Sequence, residues 1–356
     1  MPSVVVVGAG IIGSSIAWEL AERGVDVDLV DPGPPPGQAS GAGAGMLAPG
    51  AEVTEPSAWS DLALTSARSY AGFVAQLERA AGGRIDYRQC GAVELFMDDA
   101  ECQLMEARAR VQAGMGIESR WLTAREVRQY LPALEIEPAG ARYFPRDALV
   151  NPRDVVSLLH SLRRPRAERV TNIAAAEDGV CVRTAGGEIR ADAAVLAAGA
   201  WSSEIAVRVG SKSIALDEAV PVRGHLLGLD AECGRLGPIL RHGHTYLLQR
   251  RSGFLIAGAT EERVGFDERI DAAAVAGILE RARRLIPSLM KSGEARPWLG
   301  FRPGIAARGP AIGRVGGSRL WTAYGHYRNG ILLAPGTSEF IAGEITSSLG
   351  TGSNAR

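Results

Sequence analysis

Gly8, Gly10 and Gly13 stand in G-x-G-x-x-G spacing directly after the β-branched run at residues 4–7, and Asp31 follows about 20 residues later. Gly8 permits a tight turn, Gly10 lets the backbone approach a pyrophosphate, and Gly13 lets a helix pack closely on its strand. The helix opening at Ile11 and Ile12 offers unpaired N–H groups and the positive end of its dipole to phosphate oxygens, while Asp31 can accept hydrogen bonds from ribose hydroxyls. This context predicts dinucleotide binding without separating NAD from FAD.

Other chemistry finds less support. His242 and His244 are two apart, so on a strand both would face one way as a metal pair does, but no third ligand is near in sequence and no metal site is expected. Cys90, Cys102, Cys181 and Cys233 form no C-x-x-C pair, which suits reduced, unpaired thiols. No S-x-x-K or G-x-S-x-G pattern occurs, so acyl transfer is not indicated. Net charge is −1, which leaves no global field to recruit nucleic acid or anionic lipid. All but Lys212 and Lys291 of the 39 basic residues are arginine, so no single arginine stands out by composition. The N-terminus lacks a basic segment before its short apolar run, and no apolar run reaches the roughly 18 residues of a membrane span; a cytoplasmic protein without membrane partners is expected.

At 356 residues the chain is long enough for about two domains. Residues 4–7, the helical pattern of Ile11, Ile12, Ile16 and Leu20, and the alternation at 25–30 predict a βαβ unit and a parallel sheet. The sequence PGPPPG at 32–37 must be a surface loop. Helical patterns follow around 62–77 and 101–113, with Thr123 and Glu126 spaced as a capping box. Short strand-like runs at 92–96, 180–184, 245–248 and 254–257 suggest an antiparallel sheet, whereas the run at 195–199 belongs with the opening parallel sheet. A strand at 320–323 and a helix at 331–349, with Pro335 near its first turn, close the chain, and residues 350–356 read as a frayed end.

The whole chain resembles the D-amino acid oxidase superfamily of flavoproteins, and within it the glycine oxidases associated with thiamine biosynthesis. The resemblance rests on VVVVGAGIIGSSIAWEL at the N-terminus, SGAGAGMLAP at 40–49, FRPG at 301–304 with GPAIG at 309–313, and GHYRNGILLAP at 325–335. It implies an α/β fold: a discontinuous Rossmann-type FAD domain over residues 1–85, 142–219 and 300–356, and a mixed, mainly antiparallel substrate domain over 86–141 and 220–299.

The family's cofactor residues carry over to Gly8, Gly10, Ile11, Ile12, Gly13, Asp31 and Pro32, then to Ala39, Ser40, Ala44, Gly45 and Met46, where small side chains admit main-chain N–H groups to phosphate and flavin. Val170 matches the position whose backbone meets adenine, and Ala198 and Gly199 the turn beside the cofactor. His326, Tyr327, Arg328, Asn329, Gly330, Ile331 and Leu332 match the flavin-cradling segment. Its helix start would stabilise the negative charge that hydride arrival leaves on the ring. No cysteine lies in 326–334, so non-covalent FAD is expected. Arg302 matches the arginine that holds a substrate carboxylate, Tyr246 the tyrosine that assists it, and Arg328 offers its carbonyl to the substrate amine. Glu261 falls at a pocket-facing position where relatives vary, and residues 48–59 match a variable loop that covers the site.

The implied reaction is oxidation of glycine, sarcosine or a small D-amino acid to the imino acid by hydride transfer to flavin, with O2 reduced to H2O2. The resemblance also implies a homotetramer. A dehydrogenase of the same fold with another electron acceptor, or a catalytically silent FAD-binding subunit, are the alternatives.

Overall fold

The computed structural model describes residues 1–33, 38–230, 236–288, 295–306 and 309–350. Part of the proline-rich loop (34–37), Cys233, Lys291 and the last six residues lie outside these ranges.

The opening strand Ser3–Val7 is buried along four of its five residues, as strands covered on both faces are. It pairs in parallel with Asp26–Asp31 on one side and Ala193–Leu196 on the other. Leu320–Tyr324 continues the parallel sheet beyond Ala193–Leu196, and Ala311–Arg314 adds an antiparallel edge. With Arg166–Ala167 beside Asp26–Asp31 this makes six strands. The helix Ile11–Glu22 buries nine of its twelve residues, with the helix Gly330–Ser348 packed along it. The α/β fold is the one expected.

A second sheet of eight strands runs Arg296–Ile305, Ala219–Asp230, Phe254–Gly258, Thr245–Gln249, Ile239–His242, Ala92–Phe96, Gly140–Phe144 and Arg120–Trp121. Every neighbouring pair is antiparallel except Ile239–His242 with Ala92–Phe96. The expected domain limits at 142, 220 and 300 fall inside its strands Gly140–Phe144, Ala219–Asp230 and Arg296–Ile305.

Two expectations need correction. The run at 180–184 is a strand, Val180–Thr184, but it belongs to a separate five-stranded sheet with Val170–Ala175 and Gly187–Ala191. Its buried valines pack on Val5 and Val7 of the opening strand, and local alternation cannot say which sheet a strand joins. Pro335 is the sixth residue of Gly330–Ser348, inside the helix rather than in its first turn. The Gly336 N–H beside it donates to Ser66 Oγ (3.1 Å) on the helix Ala58–Ala81, so a neighbouring helix supplies an acceptor at the break. His242 ends a strand and His244 sits in the turn after Gly243 (φ 53°), so they do not share a strand face. Among the described residues no cluster of three His, Cys, Asp or Glu could hold a metal, and no helix is long and apolar enough to cross a membrane. The Thr123–Glu126 capping box is present.

Candidate active site

A cavity of about 780 Å³ opens at the carboxyl ends of the parallel strands, where ligands of such sheets bind, and extends under the eight-stranded sheet. Val7, Asp31, Ala197 and Tyr324 line it from the first sheet, and Leu226, Tyr246 and Arg302 from the second. Of the residues expected at the site, all line this cavity except Gly13 and Leu332. A Cβ on Gly13 would fall 1.9 Å from the Gly8 carbonyl oxygen, so Gly13 serves the contact of helix with turn. Leu332 is 1% exposed and packs into the core behind the helix start, so it forms no part of the wall.

At the glycine turn, Gly8 has φ 105°, and a Cβ there would lie 2.4 Å from the Ala197 carbonyl oxygen; only glycine fits. Asp31 does more than stand ready for a ribose: Oδ2 accepts from the Ala9 N–H (2.8 Å) and Oδ1 from the Gly33 N–H (3.0 Å). The Ile11 N–H donates to Ser40 Oγ (2.9 Å), which leaves Ile12 and Gly13 as the first-turn donors before the first intrahelical bond, Ser14 N–H to the Gly10 carbonyl (2.9 Å). His160, which the sequence did not single out, braces the turn, with Nε2 2.9 Å from the Ala9 carbonyl and 3.2 Å from Ser14 Oγ. Arg250 likewise had no local signal. It donates to the carbonyls of Ala44 (2.6 Å) and Val150 (2.7 Å) and ties down the small-residue segment; burial pulls its pKa down to about 10, so it stays charged at neutral pH.

Val170 lines the cavity beside Glu168 and Arg169, and Ala198 and Gly199 follow the strand Ala193–Leu196 into its wall. At the far end His326 through Ile331 enter the wall and open Gly330–Ser348, whose first intrahelical bond from Leu333 to Asn329 (2.8 Å) leaves the earlier N–H groups available. Tyr327 takes φ 51°, unusual for a bulky residue, and its N–H donates to the Pro303 carbonyl (3.0 Å). His326 is 3% exposed with Nε2 3.1 Å from Thr337 Oγ1; burial lowers its pKa to about 3, so the imidazole is neutral. The Arg328 guanidinium is held by Glu52 (3.1 Å), and Asn329 Nδ2 donates to the same carboxylate (3.4 Å). The 48–59 segment is thus pinned against the helix start, and the Arg328 side chain is already engaged.

Arg302 lies on Arg296–Ile305 between Phe301 and Pro303. Phe301 is 1% exposed and packs against Trp201 and Phe266, so the pleat turns Arg302 to the other face. Its Nη1 donates to the Thr260 carbonyl (3.0 Å). Backbone bonds between Arg223 and Glu262 (2.9 Å both ways), and the Arg223–Glu262 ion pair (2.5 Å), clamp that segment to the neighbouring strand. Tyr246 sits opposite Gly258 in the Thr245–Gln249/Phe254–Gly258 ladder. Burial pushes its hydroxyl up to about 12 even though Arg302, Arg328 and Arg250 oppose the shift, so Tyr246 remains a proton-bearing donor. Glu261 lines the cavity and bonds the Tyr327 hydroxyl, which burial first and Glu261 second push up to about 12.

The residues fit FAD: a glycine turn with free first-turn donors, an acidic residue at the second strand end, and a second helix start facing the same cavity. Comparison with known proteins agrees. Residues 3–343 match the family model of FAD dependent oxidoreductases. The chain is 31% identical to glycine oxidase of Bacillus subtilis over 346 residues, 95% of this chain and 91% of that one. It is 34% identical to the bifunctional protein ThiO/ThiG of Synechocystis over 352 residues, 95% of this chain and 51% of that longer one. The crystal structure of glycine oxidase from Geobacillus kaustophilus superposes with a TM-score of 0.89 at 29% identity, covering 98% of this chain and 95% of that one. The chain belongs to the family of FAD-dependent oxidoreductases. Within it, its similarity is to the glycine oxidases.

Proposed function

We propose that the chain oxidises a small α-amino acid, with glycine, sarcosine and small D-amino acids as first substrates and O2 as electron acceptor. The observation that carries this reading is the pairing of Arg302 and Tyr246 in one cavity wall, each with a glycine beneath it. A Cβ on Gly224 would lie 2.2 Å from Arg302 Nη1, and one on Gly258 2.2 Å from the Tyr246 hydroxyl oxygen.

The planar fork of Arg302 binds a carboxylate through two parallel N–H bonds and fixes its plane as well as its position. Tyr246 adds a neutral donor to the same group. The carbonyl of Arg328 accepts from the substrate amine. FAD held by these residues would supply the hydride acceptor for the Cα–H and the route for its electrons to O2, with H2O2 as the product. With the amine neutral and the Cα–H aligned, its lone pair forms the C=N bond as the hydride leaves, so the chain needs to supply orientation and no base. The imino acid then takes up water and releases ammonia, or methylamine where sarcosine is oxidised at its glycine carbon. The first-turn N–H groups of Gly330–Ser348 stabilise negative charge at the cavity wall.

The nucleotide end follows the same logic, with Asp31 to the ribose, the Ile12 N–H at the helix start to the pyrophosphate, and the Val170 backbone to the adenine. FAD is held non-covalently; no cysteine is among the described lining residues. We divide the chain as its sequence suggests, into a cofactor part and a substrate part that meet along this cavity. Anaerobic mixing of the yellow protein with glycine tests the reading: bleaching of the flavin, followed by peroxide release on aeration, supports it. A flavin that glycine, sarcosine and D-alanine all leave oxidised contradicts it.

A further inference from the structure

Arg281 faces the substrate end of the same cavity from the helix Ala272–Leu285. Its Nε donates to Thr245 Oγ1 (3.0 Å), the residue before Tyr246, and its Nη2 to the Ala259 carbonyl (3.4 Å). Arg302 donates to the carbonyl of the next residue, Thr260. Two guanidinium groups therefore hang from consecutive carbonyls and line one cavity.

The two differ in what surrounds them. At this end of the cavity Glu52 is held by Arg328 and Asn329, and Glu261 is bonded to the Tyr327 hydroxyl. Arg281 has no carboxylate partner among the described residues, and its Nη1 donates to no described acceptor. His244, also in this wall, adds no negative charge. An anchored guanidinium with an open N–H edge and no counter-ion is suited to an anionic group brought by a ligand.

We propose that Arg281 is a second anion-binding position, and that the chain prefers small amino acids carrying a second carboxylate, on the nitrogen substituent or the side chain. The α-carboxylate lies on Arg302 and the second on Arg281. This rests on the amino acid oxidase reading above and narrows its substrate class.

The test uses unreactive acid pairs that differ by one carboxylate: diglycolate against methoxyacetate, and succinate against butyrate. Their dissociation constants are read from perturbation of the flavin absorption of the FAD-loaded protein. The expected result is at least about tenfold tighter binding of a dicarboxylate than of its partner, lost in Arg281→Gln and partly kept in Arg281→Lys. Methoxyacetate and butyrate should bind the variants as they bind wild type. In turnover, Arg281→Gln should lower kcat/KM for N-(carboxymethyl)glycine at least about tenfold more than kcat/KM for glycine. Equal affinity within both pairs, or Arg281→Gln weakening mono- and dicarboxylates alike, overturns the proposal. Because binding is read without turnover, failure of glycine to bleach the flavin refutes the oxidase reading separately.

Discussion

The guanidinium of Arg302 lies directly over Gly224, with Nη1, Nη2 and Cζ 2.2, 2.4 and 2.5 Å from where a Cβ on Gly224 would stand. The space the arginine occupies exists because the adjacent strand has no side chain there. What a Cβ would meet is the mobile end of a side chain and not backbone, so Gly224→Ala should fold with nearly unchanged Tm and FAD affinity. The displaced fork should lose substrate capture, with kcat/KM falling on the order of 10²-fold for a few kcal/mol of lost positioning. Activity equal to wild type would show that Arg302 works from another position.

Asp31 has two tasks, and its removal should show both. Asp31→Ala is expected to weaken FAD binding by about 1–3 kcal/mol, the scale for losing a charged hydrogen-bond partner, and to lower the Tm of the FAD-free protein because the Ala9 N–H loses its acceptor. Fluorescence titration with FAD and thermal melts of both forms measure the two. A melt change without an affinity change would confine Asp31 to bracing the turn.

His326 predicts a pH effect on stability. Its pKa is near 3 in the folded protein and about 6.5 when unfolded, so between those values the unfolded chain binds the extra proton. Its contribution is fully present above about pH 6.5 and is lost progressively as pH falls toward 3. Melts of wild type should therefore drop more steeply on acidification than those of His326→Gln, compared over the same range. Parallel curves would mean that the ring accepts a proton while folded.

Tyr246 titrates near 12, so from pH 6 to 9 the rate of anaerobic flavin reduction should rise as the substrate loses its ammonium proton, with no break from the tyrosine. Tyr246→Phe should keep that profile at a reduced level. A profile whose shape changes in Tyr246→Phe would assign the titration to the enzyme.

The glycine turn with its strand, helix and Asp31 was legible because each part lies within about 30 residues and obeys local rules. The Arg302 end was legible only through family resemblance, since nothing in the spacing of one arginine among many marks it. Gly224 and Gly258 were beyond reach, because their meaning depends on which strand lies beside them, and pairing between distant segments is not written in local alternation. His160, Arg250 and Arg281 act from elements far along the chain from the groups they hold. Pro335 stands inside its helix, as its sixth residue, because Ser66 on another helix accepts from the N–H beside it, a partner that local sequence does not show.

The central claim is that Arg302 holds the substrate carboxylate. Rapid anaerobic mixing of glycine with wild type, Arg302→Lys and Arg302→Met, all loaded with FAD, tests it by the rate of flavin bleaching. The account predicts retained FAD in all three, a loss on the order of 10²-fold in Arg302→Lys, where charge survives and the fork does not, and a larger loss in Arg302→Met. Bleaching of Arg302→Met by glycine at the wild-type rate would place the carboxylate elsewhere and contradict it.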